Sequence, residues 1–502
     1  MKTTAIYGIL TALLISVLLP ACEGLDDNYS TNPSHHLSFS SDTLSFDTVF
    51  TTIGSATRGF MVYNRNNEPL NMESVLLAGG GATGFRINVD GRKGDSFHDI
   101  GIQANDSMYV FVEVTVNPNG ANQPLQVRDS VLITVNGIRQ QVILEAVGQD
   151  VNLWKGGKVI AKDTLLTAER PYLVYDSLVV APHVKVEIAA GATFYMHDKA
   201  NVIVYGTLHA GGTIDAPVLF RGDRLDFILN DLLPYDRTPG QWGGIFFKPE
   251  SFGNILEHAI VRNGTTGITC LPSTAEESKL KIYDSQITNM AGNLFSAINC
   301  DVEVINTELS NATGNVATLL GGNYRFIHST LANYMSVFLR KDTATLGSHT
   351  LLMSNSQPER KFAPLKARFD NCVIDGHLPA KPFPDIKAEI FLDKADGEVF
   401  EYNFNHCVLK TSVEEDIHYN NVILVPDEPS DYTLFRMTGS RLDKYMTDFQ
   451  LDSDTTAGVG SADPAISALY PVDRYGVSRL TSPNSPTAGA YEFVPKPEEE
   501  EE

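Results

Sequence analysis

Basic charge, tryptophan and closely paired cysteines are what this 502-residue chain has least of. Lysine and arginine number 38 against 61 aspartate and glutamate, a formal charge of −23, and no basic cluster interrupts the acid. Such a surface repels a phosphate backbone, so nucleic acid is excluded as a partner. Beyond Cys22 the cysteines are Cys270, Cys300, Cys372 and Cys407, with no C-x-x-C pair of the metal-binding kind. They read as small core residues, with their disulfide state left open. No GxSxG elbow, Walker loop, HExxH or cysteine–histidine constellation occurs. The commonest nucleophile and metal chemistries are thereby set aside.

What is present begins with "MKTTAIYGILTALLISVLLPAC": Lys2, an apolar run from Ala5 to Leu19, then small Ala21 before Cys22. That order predicts an export signal over residues 1–21. The run of about 15 residues is short for a bilayer span of about 20. Leu19-Pro20-Ala21-Cys22 resembles the bacterial lipobox, which implies acylation of Cys22 and attachment to a membrane through that lipid rather than by spanning. Residues 22–36 are polar and aperiodic, a flexible tether. Asp26 and Asp27 in it resemble the signal that sends Bacteroidota lipoproteins to the outer-membrane surface. At the other end, residues 495–502 carry Glu498 to Glu502 and predict a disordered acidic tail.

Residues 37–150 alternate as short strands do. In "MYVFVEVTVNP", Val110, Val112, Val114 and Val116 share one face, and Asn136-Gly137 is a hairpin signal. The expectation is an antiparallel β-sandwich. Its order of strands, from "LSFDTVFTTIGSATRGFMVYN" to "VILEAVGQ", resembles immunoglobulin-like modules of the ASPM, SPD-2 and hydin type. That resemblance implies a spacer or adhesive unit.

Residues 151–494 are organised by an echoing octad. "LEHAIVRN" starts at Leu256, "IYDSQITN" at Ile282, "VINTELSN" at Val304, "FIHSTLAN" at Phe326, "FDNCVIDG" at Phe369 and "FNHCVLKT" at Phe404. Short strands repeating every 20 to 30 residues or so without helices are the signature of a β-solenoid. Positions one and six are always apolar, yet side chains five residues apart on a straight strand face opposite ways. The chain must therefore bend between them. Position three carries His258, Asp284, Asn306, His328, Asn371 or His406, the residue types that tolerate left-handed backbone. These side chains read as outward-facing corner residues. His258 and His328 stand three coils and so roughly 14 Å apart, too far to share a metal ion. Position eight holds Asn263, Asn289, Asn311 and Asn333, an expected asparagine ladder along the axis.

With "GQWGGIFF" and the closing "PVDRYGVSRLTSPNSPTAGAYEF", this pattern resembles Bacteroidota right-handed parallel β-helix repeat proteins, and the latter phrase their terminal coil. The resemblance implies a pectate-lyase-like all-β fold, shared by binding proteins, polysaccharide lyases and glycoside hydrolases. Catalysis would need clustered or paired carboxylates. Outward positions five and seven read Ile260/Arg262, Gln286/Thr288, Glu308/Ser310 and Thr330/Ala332, with no acids on adjacent coils and no catalytic residue to assign. The insertion "GDRLDFILNDLLPYDRTPGQWGG" offers Tyr235, Asp236, Arg237 and Trp242 as candidates for stacking on and hydrogen bonding to a sugar. No metal ligand or cofactor is expected; calcium is the one ion hinted at, by "DSDTTAGVG" from Asp452, which lacks the later glutamate of a calcium loop. The expected role is a surface lipoprotein displaying a rigid solenoid to a polysaccharide or an outer-membrane protein. The alternatives are a lyase or hydrolase, and a structural subunit.

Overall fold

The computed structural model describes residues 29–495 apart from 121, 229–232, 338–339, 341–347, 358–360, 379–387, 412–416, 426–433, 440–444 and 482–485. The leader, Cys22, the start of the tether and most of the acidic tail lie outside the described residues. The chain divides into two compact units, one ending at Asp150 and the other starting at Val151.

The first unit is a β-sandwich of two five-stranded sheets. Leu37–Phe39, Arg58–Asn64, Ser107–Val114, Phe85–Val89 and Arg92–Gly94 form one; Thr43–Phe50, Ile138–Gln149, Leu125–Val135, Leu70–Leu77 and Ser96–Ile102 form the other. Val110, Val112, Val114 and Val116 are buried between them, as strand alternation requires. Asn136 and Gly137 both have positive φ, 49° and 71°, which lets a two-residue turn follow the twist of its strands. One pairing departs from an antiparallel sandwich: Thr43–Phe50 runs parallel to Ile138–Gln149. The chain leaves one sheet after Phe39 and joins the edge of the other, where the last long strand already points the same way.

The second unit is a parallel β-helix with strands stacked in an 11-stranded and a 17-stranded sheet. The six octads lie in register on consecutive coils. Leu256, Ile282, Val304, Phe326, Phe369 and Phe404 stack at position one. Val261, Ile287, Leu309, Leu331, Ile374 and Leu409 stack at position six. The long gaps before Phe369 and Phe404 are insertions within single coils, since those pairings skip no turn. A seventh coil follows at Tyr419, which pairs with Phe404 after an interval too short to match the period. Rings pile up along the core, Phe326 on Phe369 and Phe369 on Phe404, each at 4.9 Å.

Between positions one and six the bend falls at position three, where all six residues have φ between 43° and 56°. Position four then enters the core and carries its own ladder. The Ser285 hydroxyl accepts from the Ala259 N–H at 2.9 Å, Thr307 from the Ser285 N–H at 3.3 Å, and the Cys407 sulfur from the Cys372 N–H at 3.4 Å. A small polar side chain there satisfies backbone that the bend strips of partners. The four cysteines beyond Cys22 are free and buried.

Two readings of the solenoid change. His328 is not exposed at its corner: it is fully buried beneath the later chain, its Nε2 2.9 Å from Ser467 Oγ and 2.9 Å from Asn371 Nδ2. Burial, with Arg479 nearby, pushes its imidazole pKa well below the usual value. Nor does the phrase ending Gly489 to Glu492 close a coil, for it joins neither large sheet. It belongs instead to a strap that crosses the outer face of the 11-stranded sheet. There Ala332, Val373 and Val408 point outward into a second core with Phe435, Phe449, Tyr491 and Phe493. Apolar residues at outward positions need a cover, and the strap supplies it. Arg479 and Glu492 pin it, both buried and 3.6 Å apart; Arg479 also donates to Asn306 Oδ1 at 3.2 Å and to the carbonyls of Thr487 and Gly489, each at 3.0 Å. Burial lowers the Arg479 pKa to about 10.

Candidate functional site

Towards the first coils the same outer face is polar. Tyr195 pairs in register with Arg221, and further along Arg262, Thr288 and Ser310 form one outward row. The insertion after Val218–Gly222 folds onto this face and places one turn of helix, Tyr235–Arg237, beside it. Asp236 Oδ1 there lies 2.9 Å from Arg221 Nη1 and 2.8 Å from Arg262 Nη2. A single carboxylate thus joins two guanidiniums, and Arg221 is held further by its Nε and Nη2, which donate to the carbonyls of Gly222 at 3.2 Å and Arg224 at 3.1 Å. Burial lowers the Arg262 pKa, with Asp236 opposing.

Asp236 and Arg237 form one edge of a groove of about 300 Å³, and Met437, Tyr445 and Met446 contribute from the other side. Its floor is Arg262, Asn263, Gln286, Asn289 and Asn311. Three of the four ladder asparagines therefore line the groove. Asn289 Nδ2 donates to Asn263 Oδ1 at 2.8 Å, and Asn263 Nδ2 to the Asp236 carbonyl at 2.9 Å. The amides of the next two coils turn to backbone instead. Asn311 Oδ1 accepts from the Tyr334 N–H at 2.8 Å, and buried Asn333 accepts from the Ala312 N–H at 3.2 Å. Asn263, Asn289 and Asn311 have φ of 60° to 67°; Asn333 does not share that conformation, so its amide points another way.

Of the four insertion residues, Asp236 and Arg237 line the groove and Tyr235 and Trp242 do not. Tyr235 stacks under the Arg224 guanidinium, 4.1 Å from its ring centroid. Trp242 has no exposed surface, lies in the solenoid core and donates from Nε1 to the Arg262 carbonyl at 2.8 Å. It supports the strand beneath the groove and offers no face to a ligand. The "DSDTTAGVG" turn is closed by hydroxyls, with the Ser453 N–H donating to Thr456 Oγ1 at 3.0 Å. Among the described residues no group of three or more His, Cys, Asp or Glu is arranged to hold a metal.

A second feature of this face went unread in the sequence. His197 Nδ1 lies 2.6 Å from Asp223 Oδ2, and Tyr175 stacks on the imidazole at 4.0 Å. Asp223 is the more buried partner, and burial raises its pKa against the pull of His197. The signal was the repeat "YLVYD", "FYMHD", "FRGD", whose first aromatics Tyr172, Phe194 and Phe220 stack in register. That alignment carries Tyr175, His197 and Asp223 to one column.

No protein-family model and no curated protein matches this chain. Among solved structures, a protein of unknown function from Porphyromonas gingivalis W83 is similar over 26% of this chain, at 14% identity and a TM-score of 0.18. This chain spans 57% of that protein's length. The ASH/PapD-like domain of human CEP192 is matched over 96% of its own length and 26% of this chain, at 10% identity and a TM-score of 0.17. Pectate lyase Pel9A is similar over 69% of this chain and 88% of its own, at 12% identity and a TM-score of 0.35. The fold assignment rests on the strand register above.

Proposed function

We propose that this protein binds a polysaccharide through the polar groove on its β-helix, without turning it over. The observation that carries the reading is the floor of side-chain amides flanked by Arg262 and Asp236. Gln286 and Asn289 spend their amide nitrogens on Glu308 and Asn263 and keep a carbonyl oxygen for a sugar hydroxyl, Asn311 keeps its amide nitrogen, and methionines at the rim suit the C–H face of the ring. Lipid anchoring at Cys22, export to the outer-membrane surface of a member of the Bacteroidota, an immunoglobulin-like spacer and a right-handed helical hand belong to the same proposal. Their support is the leader, the Asp26-Asp27 pair and the repeat pattern. The test is binding of the soluble chain from Asp26 onward to acidic and neutral polysaccharides, with calcium present, alongside labelled-fatty-acid incorporation in wild type and Cys22→Ala. Binding with unchanged polymer length supports the reading; no binding to any polymer sinks it and turns the search to an envelope protein partner.

The second reading, a lyase or hydrolase, is favoured by one observation: an imidazole oriented by a buried carboxylate, His197 on Asp223. Such an arrangement holds the ring in one tautomer with the other nitrogen available as a base. New reducing ends or unsaturated products, lost in His197→Gln, would put it first.

A further inference from the structure

The sandwich unit carries a cluster of exposed aromatic and polar side chains of its own. On the outer face of its first sheet, Tyr109 and Phe111 are 52% and 41% exposed. Their rings lie parallel, 11° apart in plane and 5.4 Å between centroids. Large aromatic rings left in water on a strand whose alternate residues are fully buried are not required by the core. Gly59 pairs opposite Phe111, and a Cβ there would stand 3.1 Å from the Phe111 ring, so the glycine gives that ring its place.

Beside the ring the sheet continues with polar groups in register. Phe111 pairs with Asn88, and Asn88 with Lys93. These three residues line one concavity of about 740 Å³. Asn88 Oδ1 is buried and has no hydrogen-bond partner among the described residues. A buried acceptor without a donor is costly unless a ligand supplies one. Lys93 is exposed, and no ion pair engages it among the described residues. The acids nearby differ: Glu113 lies 3.9 Å from Arg86 and accepts from the Thr57 hydroxyl at 2.8 Å, whereas Asp95 stands at the rim. Across the row the chemistry therefore runs from stacking surface through hydrogen-bond acceptor to free cation, with strands about 4.8 Å apart.

We infer that this row binds a uronic-acid residue of an acidic sugar chain: the pyranose stacks on the Phe111 ring, a hydroxyl donates to Asn88 Oδ1, and the carboxylate meets Lys93. The test uses the full soluble chain with oligogalacturonate and oligoalginate hexamers, and maltohexaose as the neutral probe, in isothermal titration. Phe111→Ala should weaken binding of one uronate hexamer about threefold to tenfold, the range that loss of an aromatic contact gives. Lys93→Gln should weaken it comparably and reduce its salt dependence. Both residues are exposed, and an unchanged melting temperature would show the fold intact. Arg262→Ala, in the solenoid, should leave this component alone, which separates the two sites. Equal affinity for maltohexaose, insensitivity to both sandwich variants, or no uronate binding with the wild-type chain would each overturn the assignment.

Discussion

One sheet of the solenoid presents two different outer faces along its length. Around Ala259–Arg262 and Gln286–Met290 the outward side chains are Arg262, Gln286 and Thr288, and they line an open groove. From Thr330 onward the equivalent positions include apolar Ala332, Val373 and Val408, beside buried Asp375, and the strap covers the apolar three. Strand geometry and inward packing are the same in both stretches. The difference lies mainly in octad positions five and seven, where Arg262, Gln286 and Thr288 leave the face open and Ala332, Val373 and Val408 bring it under the chain's own C-terminal segment. Glu308 stands at the boundary, in register with Gln286 on one side and Thr330 on the other, and the Tyr491 hydroxyl of the strap donates to it.

The comparison breaks most visibly if the strap is released. Arg479→Met takes the arginine from buried Glu492 and removes the donor to Asn306 and to the Thr487 and Gly489 carbonyls, expected to cost about 3–5 kcal/mol. Denaturant unfolding and limited proteolysis check it, with the strap cut first and the coils surviving longer. A cut pattern identical to wild type would mean that this pair does not hold the strap.

Acid strengthens the covered face. Burial raises the Asp375 pKa to about 6, with the Tyr334 hydroxyl donating to it at 2.7 Å. A carboxyl usually titrates near 3.9, so the folded state binds this proton more tightly than the unfolded chain does. Its contribution to stability is full below about pH 4 and is lost as pH rises through about 6, a change of about 2–3 kcal/mol. Urea midpoints of wild type against Asp375→Asn at pH 4, 5.5 and 7 should diverge with rising pH, the variant being the more stable at pH 7. Parallel curves would place the titration elsewhere.

Smaller effects belong to the boundary and to the open face. Asn311→Leu strands the Tyr334 N–H and should cost about 1–3 kcal/mol, read as a lowered melting temperature. Asp236→Asn should change stability by no more than about 1 kcal/mol, because the carboxylate is partly exposed. It should still weaken polysaccharide binding about tenfold by freeing Arg262, on the groove floor, from its set orientation. Loss of stability with unchanged affinity would assign Asp236 to the scaffold alone.

How much of this could be read in advance varies with the range of the interaction. The coils were legible because each octad position meets one local demand: left-handed backbone at Asn306 or His406, small bulk at Ser329, a core contact at Leu331. His328 was misplaced because what buries it, Ser467, comes 139 residues later and belongs to no repeat. Trp242 looked like a sugar platform because an insertion rich in polar residues says nothing about which of its aromatics turns inward. The coil at Tyr419 was hidden by its short interval, and the His197–Asp223 pair by an aromatic column lying outside the octads. The groove itself needed the hairpin of Phe435–Thr438 and Thr447–Leu451, whose position no local pattern encodes.

The central claim is that ligand is held where this sheet face is polar and uncovered. Hydrogen exchange of the soluble chain, with and without a polysaccharide that it binds, tests that most directly. Protection gathered at Ala259–Arg262 and Gln286–Met290, with none gained at Val373–Gly376, is the result expected. Binding that leaves the first two strands unprotected would contradict the account.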